Sequence, residues 1–151
     1  MAKFYRIVQA HWAASAMSGE GARLNGGRWN PPGISAVYLA ESRALAALEM
    51  LVHAPREVLH LAWRLIEVEV PEKWIVTARH SALPADWQAL PSSPSARQFG
   101  EAWLSEPGSL ALKLPSVLIP EEHTLLLNPL HPDAARMKIS KPLEFRFDPR
   151  F

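Results

Sequence analysis

"GARLNGGRWNPPGISAVYLAESRALAALEMLVH", residues 21–53, decides how this chain is read. It opens as a turn-rich stretch, passes through a short strand and closes in an apolar helix. Gly19, Gly21, Gly26, Gly27, Pro31, Pro32 and Gly33 predict a loop over 19–35, ordered or mobile. "AVYLA" (36–40) predicts a short strand in which Tyr38 faces away from Val37 and Leu39. Ser42 is placed to cap a helix over about 43–53 that stops before Pro55. On that helix Leu45, Leu48, Leu51 and Val52 make one apolar stripe. Glu49 lies about 40° from Leu45, at the border of the stripe. Its neighbours three and four residues away are Leu45, Ala46, Val52 and His53, so no Lys or Arg supports it locally. Folding alone asks neither for Arg28 beside Trp29 nor for a carboxylate against an apolar stripe.

Outside this stretch the pattern is one of short elements. "KFYRIVQ" (3–9) reads as an opening strand with Phe4, Arg6 and Val8 on one side and Tyr5 and Ile7 on the other. "VLHLAWRLIEVEV" (58–70) alternates through Leu59, Leu61, Trp63 and Leu65, then shifts phase to Ile66, Val68 and Val70, which predicts a bulge or bend near Leu65. "WIVTA" (74–78) is a further strand, 79–95 is loop-like, and 96–105 reads as a helix with Phe99, Ala102 and Trp103 inward. Residues 110–120, 124–128 and 143–147 complete the strands, with a turn, a helical turn and a short extension between the last two. Many short strands, two substantial helices and no βαβ rhythm predict an α+β domain spanning 1–151. Its sheet should be bent and mostly antiparallel, or split into two small packed sheets.

Composition limits the function. The chain has 151 residues, 48% hydrophobic and 21% charged, with a formal net charge of +1. That suits one domain with a real core and argues against direct nucleic-acid binding through a basic surface. There are no cysteines, which removes disulfides and thiol chemistry and fits a reducing cytoplasm. No stretch approaches the roughly 20 apolar residues of a membrane span, and Arg6, Gln9 and His11 interrupt the apolar start that a signal peptide would need. Fourteen prolines agree with many turns.

Familiar motifs fail. Gly19 and Gly21 begin a dinucleotide fingerprint, but Leu24 stands where its third glycine should be. Gly21 to Gly26 has phosphate-loop spacing, but Gly27 and Arg28 replace the required Lys-Ser/Thr. Six scattered histidines form no HExxH pair, so no metal is expected, and there is no Gly-x-Ser-x-Gly elbow. Four residues stay open to two readings. Arg28 is either a surface guanidinium on Trp29 or, on a glycine loop, a bidentate phosphate ligand. Glu49 is either an exposed border residue or a partly desolvated carboxylate that stabilises a developing cation. Tyr38 reads as a core aromatic or a stacking face, and Ser116 as a polar break in a strand or a site residue.

"GGRWNPPG", "VYLA", "ALAALEMLVH", "LPSVLIP" and "LLNPLHPDA", in this order and spacing, resemble the RES-domain family, named for an arginine, a glutamate and a serine. The resemblance runs from about Phe4 to Ile139. It implies a fold similar to diphtheria-toxin-like ADP-ribosyltransferases and a toxin of a bacterial type II toxin–antitoxin pair. The implied partner is a helix-turn-helix, Xre-type antitoxin; a homodimer is left open. The implied activity is cleavage of the nicotinamide–ribose bond of NAD by water or phosphate, with NAD a substrate and no cofactor needed. Transfer of ADP-ribose to a protein and an inactive partner-binding module are the alternatives. Carried over residue by residue, the arginine is Arg28, the glutamate Glu49 and the serine Ser116, with Tyr38 the family's active-site tyrosine. Arg6 is a rival arginine or second phosphate ligand, Trp29 an alternative aromatic face, and Asn128 a further substrate contact. His123-Thr124 replaces the polar or aromatic pair expected before "LLNP".

Overall fold

The computed structural model describes residues 1–106, 108 and 110–151. The strands form one eight-stranded sheet. β1 (Ala2–Gln9), β2 (Val37–Ala40) and β3 (Trp63–Val70) are its middle. β1 and β3 make a continuous antiparallel ladder from Ala2 opposite Val70 to Gln9 opposite Trp63. β4 (Ile75–Thr77), β5 (Ala111–Pro115) and β6 (His123–Leu127) extend the sheet beyond β2. β7 (Lys138–Ile139) and β8 (Leu143–Phe145) pair with β3 at the other side. Among the described residues three α-helices accompany it: α1 (Glu20–Asn25), α2 (Arg43–His53) and α3 (Pro94–Ser105).

The expected α+β class with a mostly antiparallel sheet is what the chain forms, as one sheet rather than two. β4 and β5 are the exception, pairing in parallel with α3 between them. The sequence hid this unit because β4 is very short and a long irregular stretch separates it from α3. The phase change in β3 is real, but its ladder with β1 contains no bulge. Both sides of β3 are covered instead. Leu65 and Trp63 join one apolar cluster with Tyr5, Ile7 and Leu45, whereas Ile66, Val68 and Val70 join another with Phe4 and Val8. A strand buried on both faces loses clean alternation.

Three further expectations need correction. Residues 19–35 are not all loop, because Glu20–Asn25 form α1, with the Glu20 backbone N–H on Ser18 Oγ at 3.2 Å and Arg23 paired to Glu20 at 2.8 Å. Ser42 caps α2 as predicted, its Oγ accepting from Leu45 N at 3.0 Å, but the buried residues of α2 are Leu45 and Ala46. Leu48 and Val52 are exposed because the helix is turned with Val52 at the edge of a cleft. In α3 the buried residues are Ala96, Gly100 and Leu104, with Ala102 exposed. Gly100 allows that close face: a Cβ there would stand 1.8 Å from the Trp29 carbonyl oxygen.

Candidate active site

A cleft of about 610 Å³ opens where β1, β2, α2 and the loop before β2 meet. That volume lies within the roughly 300–1,000 Å³ of small-molecule and cofactor sites. Arg6, Arg28, Trp29, Tyr38 and Glu49 all line it, so the structure gathers most of the candidate residues in one place.

The loop that carries Arg28 is built around Asn30, which is fully buried. The Asn30 side-chain amide donates to the carbonyls of Ala22 at 2.9 Å, Ile34 at 2.9 Å and Pro31 at 3.2 Å. Its oxygen accepts from the Tyr38 hydroxyl. That hydroxyl in turn accepts from the Trp29 backbone N–H at 3.1 Å. Gly27 N donates to the Asn30 carbonyl at 2.9 Å and closes a tight turn around Arg28 and Trp29. A Cβ on Gly27 would meet the Tyr38 hydroxyl at 2.7 Å, so glycine is required by contact. Asn30 thus ties α1, the loop and β2 together and fixes where Arg28 points. Sequence reasoning passed over it, although an asparagine next to proline in a glycine-rich loop is a residue type that bonds nearby backbone.

Arg28 is not a free surface guanidinium. Its Nη1 donates to the carbonyls of Trp87 at 2.9 Å and Ala89 at 2.8 Å, which ties down the segment leading into the cleft-lining residues Leu90, Pro91 and Ser92. Burial pulls its pKa down, while the charge of Glu49 opposes that, as does Tyr38 to a smaller extent. Trp29 is buried and stacks on Trp87, with centroids 6.4 Å apart, and against the edge of Phe99 at 5.8 Å. It braces the same segment and α3, so its ring is mainly a structural support.

Arg6 comes from the middle of β1 and donates from Nη1 to the Tyr38 carbonyl at 3.0 Å. Its Nε is buried without a partner, and among the described residues no carboxylate pairs with it. Burial lowers its pKa. A desolvated cation with donors left over is an arrangement that an anionic ligand completes.

Glu49 faces this positive side from α2. Its Oε1 accepts a hydrogen bond from Ser116 Oγ at 2.9 Å. Ser116 is 1% exposed, and its oxygen accepts from the backbone N–H of Leu118 at 3.1 Å and of Ile119 at 3.3 Å. Those two contacts leave the hydroxyl one direction to donate, and that direction is Glu49. The serine therefore orients the carboxylate. A second tie holds the same turn, since Ser42 Oγ, at the cap of α2, donates to Glu122 Oε1 at 3.1 Å.

Tyr38 presents its ring to the cleft and keeps its hydroxyl in the Asn30 network. Burial raises the pKa of that hydroxyl far above the ordinary tyrosine value, against the smaller opposing effects of the Trp29 N–H and Arg28. The hydroxyl is neutral and structural. Asn128 lies apart from the other candidates. It borders a separate depression with Leu104 and Leu130, donating to the Leu104 carbonyl at 3.3 Å and accepting from Leu130 N at 3.0 Å. It is not among the residues that line the cleft. Of the unusual pair His123-Thr124, Thr124 lines the cleft, and His123 binds Glu41, its backbone N–H donating at 2.8 Å.

Known proteins share the sequence and the fold of this chain. The RES domain family model matches residues 3–148. A curated relative, the Prs ADP-ribosylating toxin of Sphingobium sp. (strain YBL2), is 42% identical over 97% of this chain and 94% of the relative. The NAD(+) phosphorylase MbcT of Mycobacterium tuberculosis (strain ATCC 25618 / H37Rv) is 40% identical over 75 residues, 45% of this chain and 39% of that protein. The crystal structure of the M. tuberculosis MbcT–MbcA toxin–antitoxin complex contains a chain that superposes with a TM-score of 0.73 and 21% identity, covering 96% of this chain and 84% of that one.

Proposed function

The chain belongs to the RES-domain family, and from that premise we propose that it is a toxin that breaks the nicotinamide–ribose bond of NAD. The observation that carries this reading is Glu49, the one carboxylate among the described residues lining the cleft, held by Ser116 and accompanied there by two arginines. Nicotinamide is already cationic in NAD and leaves as a neutral molecule, so the reaction needs no acid to protonate a leaving group, unlike ordinary glycoside hydrolysis. It needs a negative charge beside the ribose as oxocarbenium character develops, and Glu49 provides it. Arg6, which lines the cleft without a carboxylate partner among the described residues, and the remaining donors of Arg28 hold the pyrophosphate. The Tyr38 ring, fixed by Asn30, offers a flat face to the nicotinamide.

On this reading water or phosphate captures the ribosyl group and cellular NAD falls. A second reading, with a protein as acceptor, is favoured by the full-length similarity to an ADP-ribosylating toxin. Both use the same residues up to capture. A cognate antitoxin of the helix-turn-helix, Xre type would cover the cleft, consistent with the complex in which the structural neighbour was solved. Among the described residues no helix is long and apolar enough to cross a membrane, and action in the cytoplasm, where NAD is abundant, follows from the proposal. Incubating the protein with adenine-labelled NAD and cell lysate tests the two readings together. Label in free ADP-ribose or its phosphate ester supports NAD degradation, label on protein supports transfer, and unchanged NAD contradicts both.

A further inference from the structure

Building on NAD cleavage at Glu49, we propose that His53 takes the proton from an O–H acceptor, water or a hydroxyl, as that oxygen attacks the ribose carbon. Among the described residues lining the cleft, Glu49 and His53 are the side chains of types that serve as general bases. The arginines offer donors alone, and the Tyr38 hydroxyl donates its proton to Asn30.

Glu49 and His53 stand four residues apart on α2, the spacing that puts two side chains on one helix face, and both border the cleft. Their tasks differ. A carboxylate that took the acceptor's proton would lose its charge while the ribosyl cation still required it. Glu49 is also held from Ser116 at 2.9 Å. His53 is exposed, makes no side-chain hydrogen bond or ion pair among the described residues, and sits in the last turn of α2. There it borders the cleft and is open to an acceptor arriving from solvent.

In the step, the bond from C1′ to nitrogen breaks and its electron pair passes to nicotinamide, which leaves neutral. The acceptor oxygen bonds to C1′, and its proton moves to the imidazole and then to solvent. Phosphate dianion attacks with no proton to lose. The contribution of His53 is therefore confined to O–H acceptors, which makes it a determinant of acceptor choice.

Nicotinamide release and product identity are compared for wild type, His53→Ala and His53→Gln, with and without phosphate. ADP-ribose formation in water is expected to fall about a hundredfold in both variants, while formation of the phosphate ester falls far less. Added imidazole restores part of the water reaction to His53→Ala and not to His53→Gln, in which the site is filled. Equal loss with both acceptors, no loss with water, absence of imidazole rescue, or a wild type that uses phosphate alone would overturn the assignment of His53. A wild type that releases no nicotinamide with water, phosphate or lysate protein as acceptor sinks the NAD reading itself, which is a different failure.

Discussion

Ser116 Oγ donates to Glu49 Oε1 across 2.9 Å, joining a turn after β5 to the middle of α2 over 67 residues of sequence. This contact explains how a carboxylate on a short helix is aimed without any lysine or arginine beside it on that helix. Ser116→Ala is expected to lower kcat for NAD by roughly tenfold to a hundredfold, the equivalent of about 1.5–3 kcal/mol for a hydrogen bond to a charged group. KM should change little. A raised KM with kcat intact would show that the serine contacts substrate instead.

Arg28 has both a structural and a binding duty, because its Nη1 holds Trp87 and Ala89 while the side chain lines the cleft. A lysine cannot reproduce the fork. Arg28→Lys should raise KM for NAD by about tenfold, the loss of roughly one hydrogen bond to charge, and speed proteolysis within residues 84–92. Arg6→Lys should raise KM without affecting that segment. Kinetics and limited digestion of the two variants check this, and matching digestion patterns would contradict it.

Tyr38 links the site to alkaline stability. Burial lifts its hydroxyl above the ordinary value near 10, so the folded protein holds this proton more tightly than the unfolded chain. The resulting stability is fully present below pH 10 and is lost as pH rises past it. Urea midpoints measured between about pH 9 and pH 11 should fall more steeply for wild type than for Tyr38→Phe. At neutral pH the variant should be less stable by about 1–3 kcal/mol, because Asn30 loses a donor. Parallel pH slopes would contradict the account.

Gly100 tests the packing behind the site. With the Trp29 carbonyl 1.8 Å from an added Cβ, Gly100→Ala forces α3 away from the loop. A loss of about 3 kcal/mol or more is expected, with weaker NAD binding as Arg28 loses its setting. Denaturant melts showing an unchanged midpoint would disprove this contact.

Much of this was legible in the sequence where local rules operate. Ser42 and the apolar spacing fixed α2, and Gly26, Gly27 and Pro31 marked the loop that presents Arg28. The hidden parts depend on distant partners. The sequence does not say that the Tyr38 hydroxyl ends on Asn30, or that the Ser116 proton ends on Glu49, because those contacts form only when the sheet brings β2, β5 and α2 together. The surroundings of Asn128 were hidden for the same reason, since its motif is adjacent to β6 while its side chain bonds the Leu104 carbonyl and the Leu130 N–H. The phase change at Leu65 suggested a bulge, whereas a second covered face of β3 was its cause.

The most direct test of the central claim is nicotinamide release from NAD by wild type and by Glu49→Gln, each shown to be folded. Glutamine keeps the size and can still accept from Ser116, so what changes is the charge. Wild type should release nicotinamide and Glu49→Gln should lose at least a hundredfold in kcat, with NAD still bound through Arg6 and Arg28. Equal release by the two proteins would contradict the role of Glu49, and no release by wild type with phosphate and lysate protein present would contradict NAD cleavage.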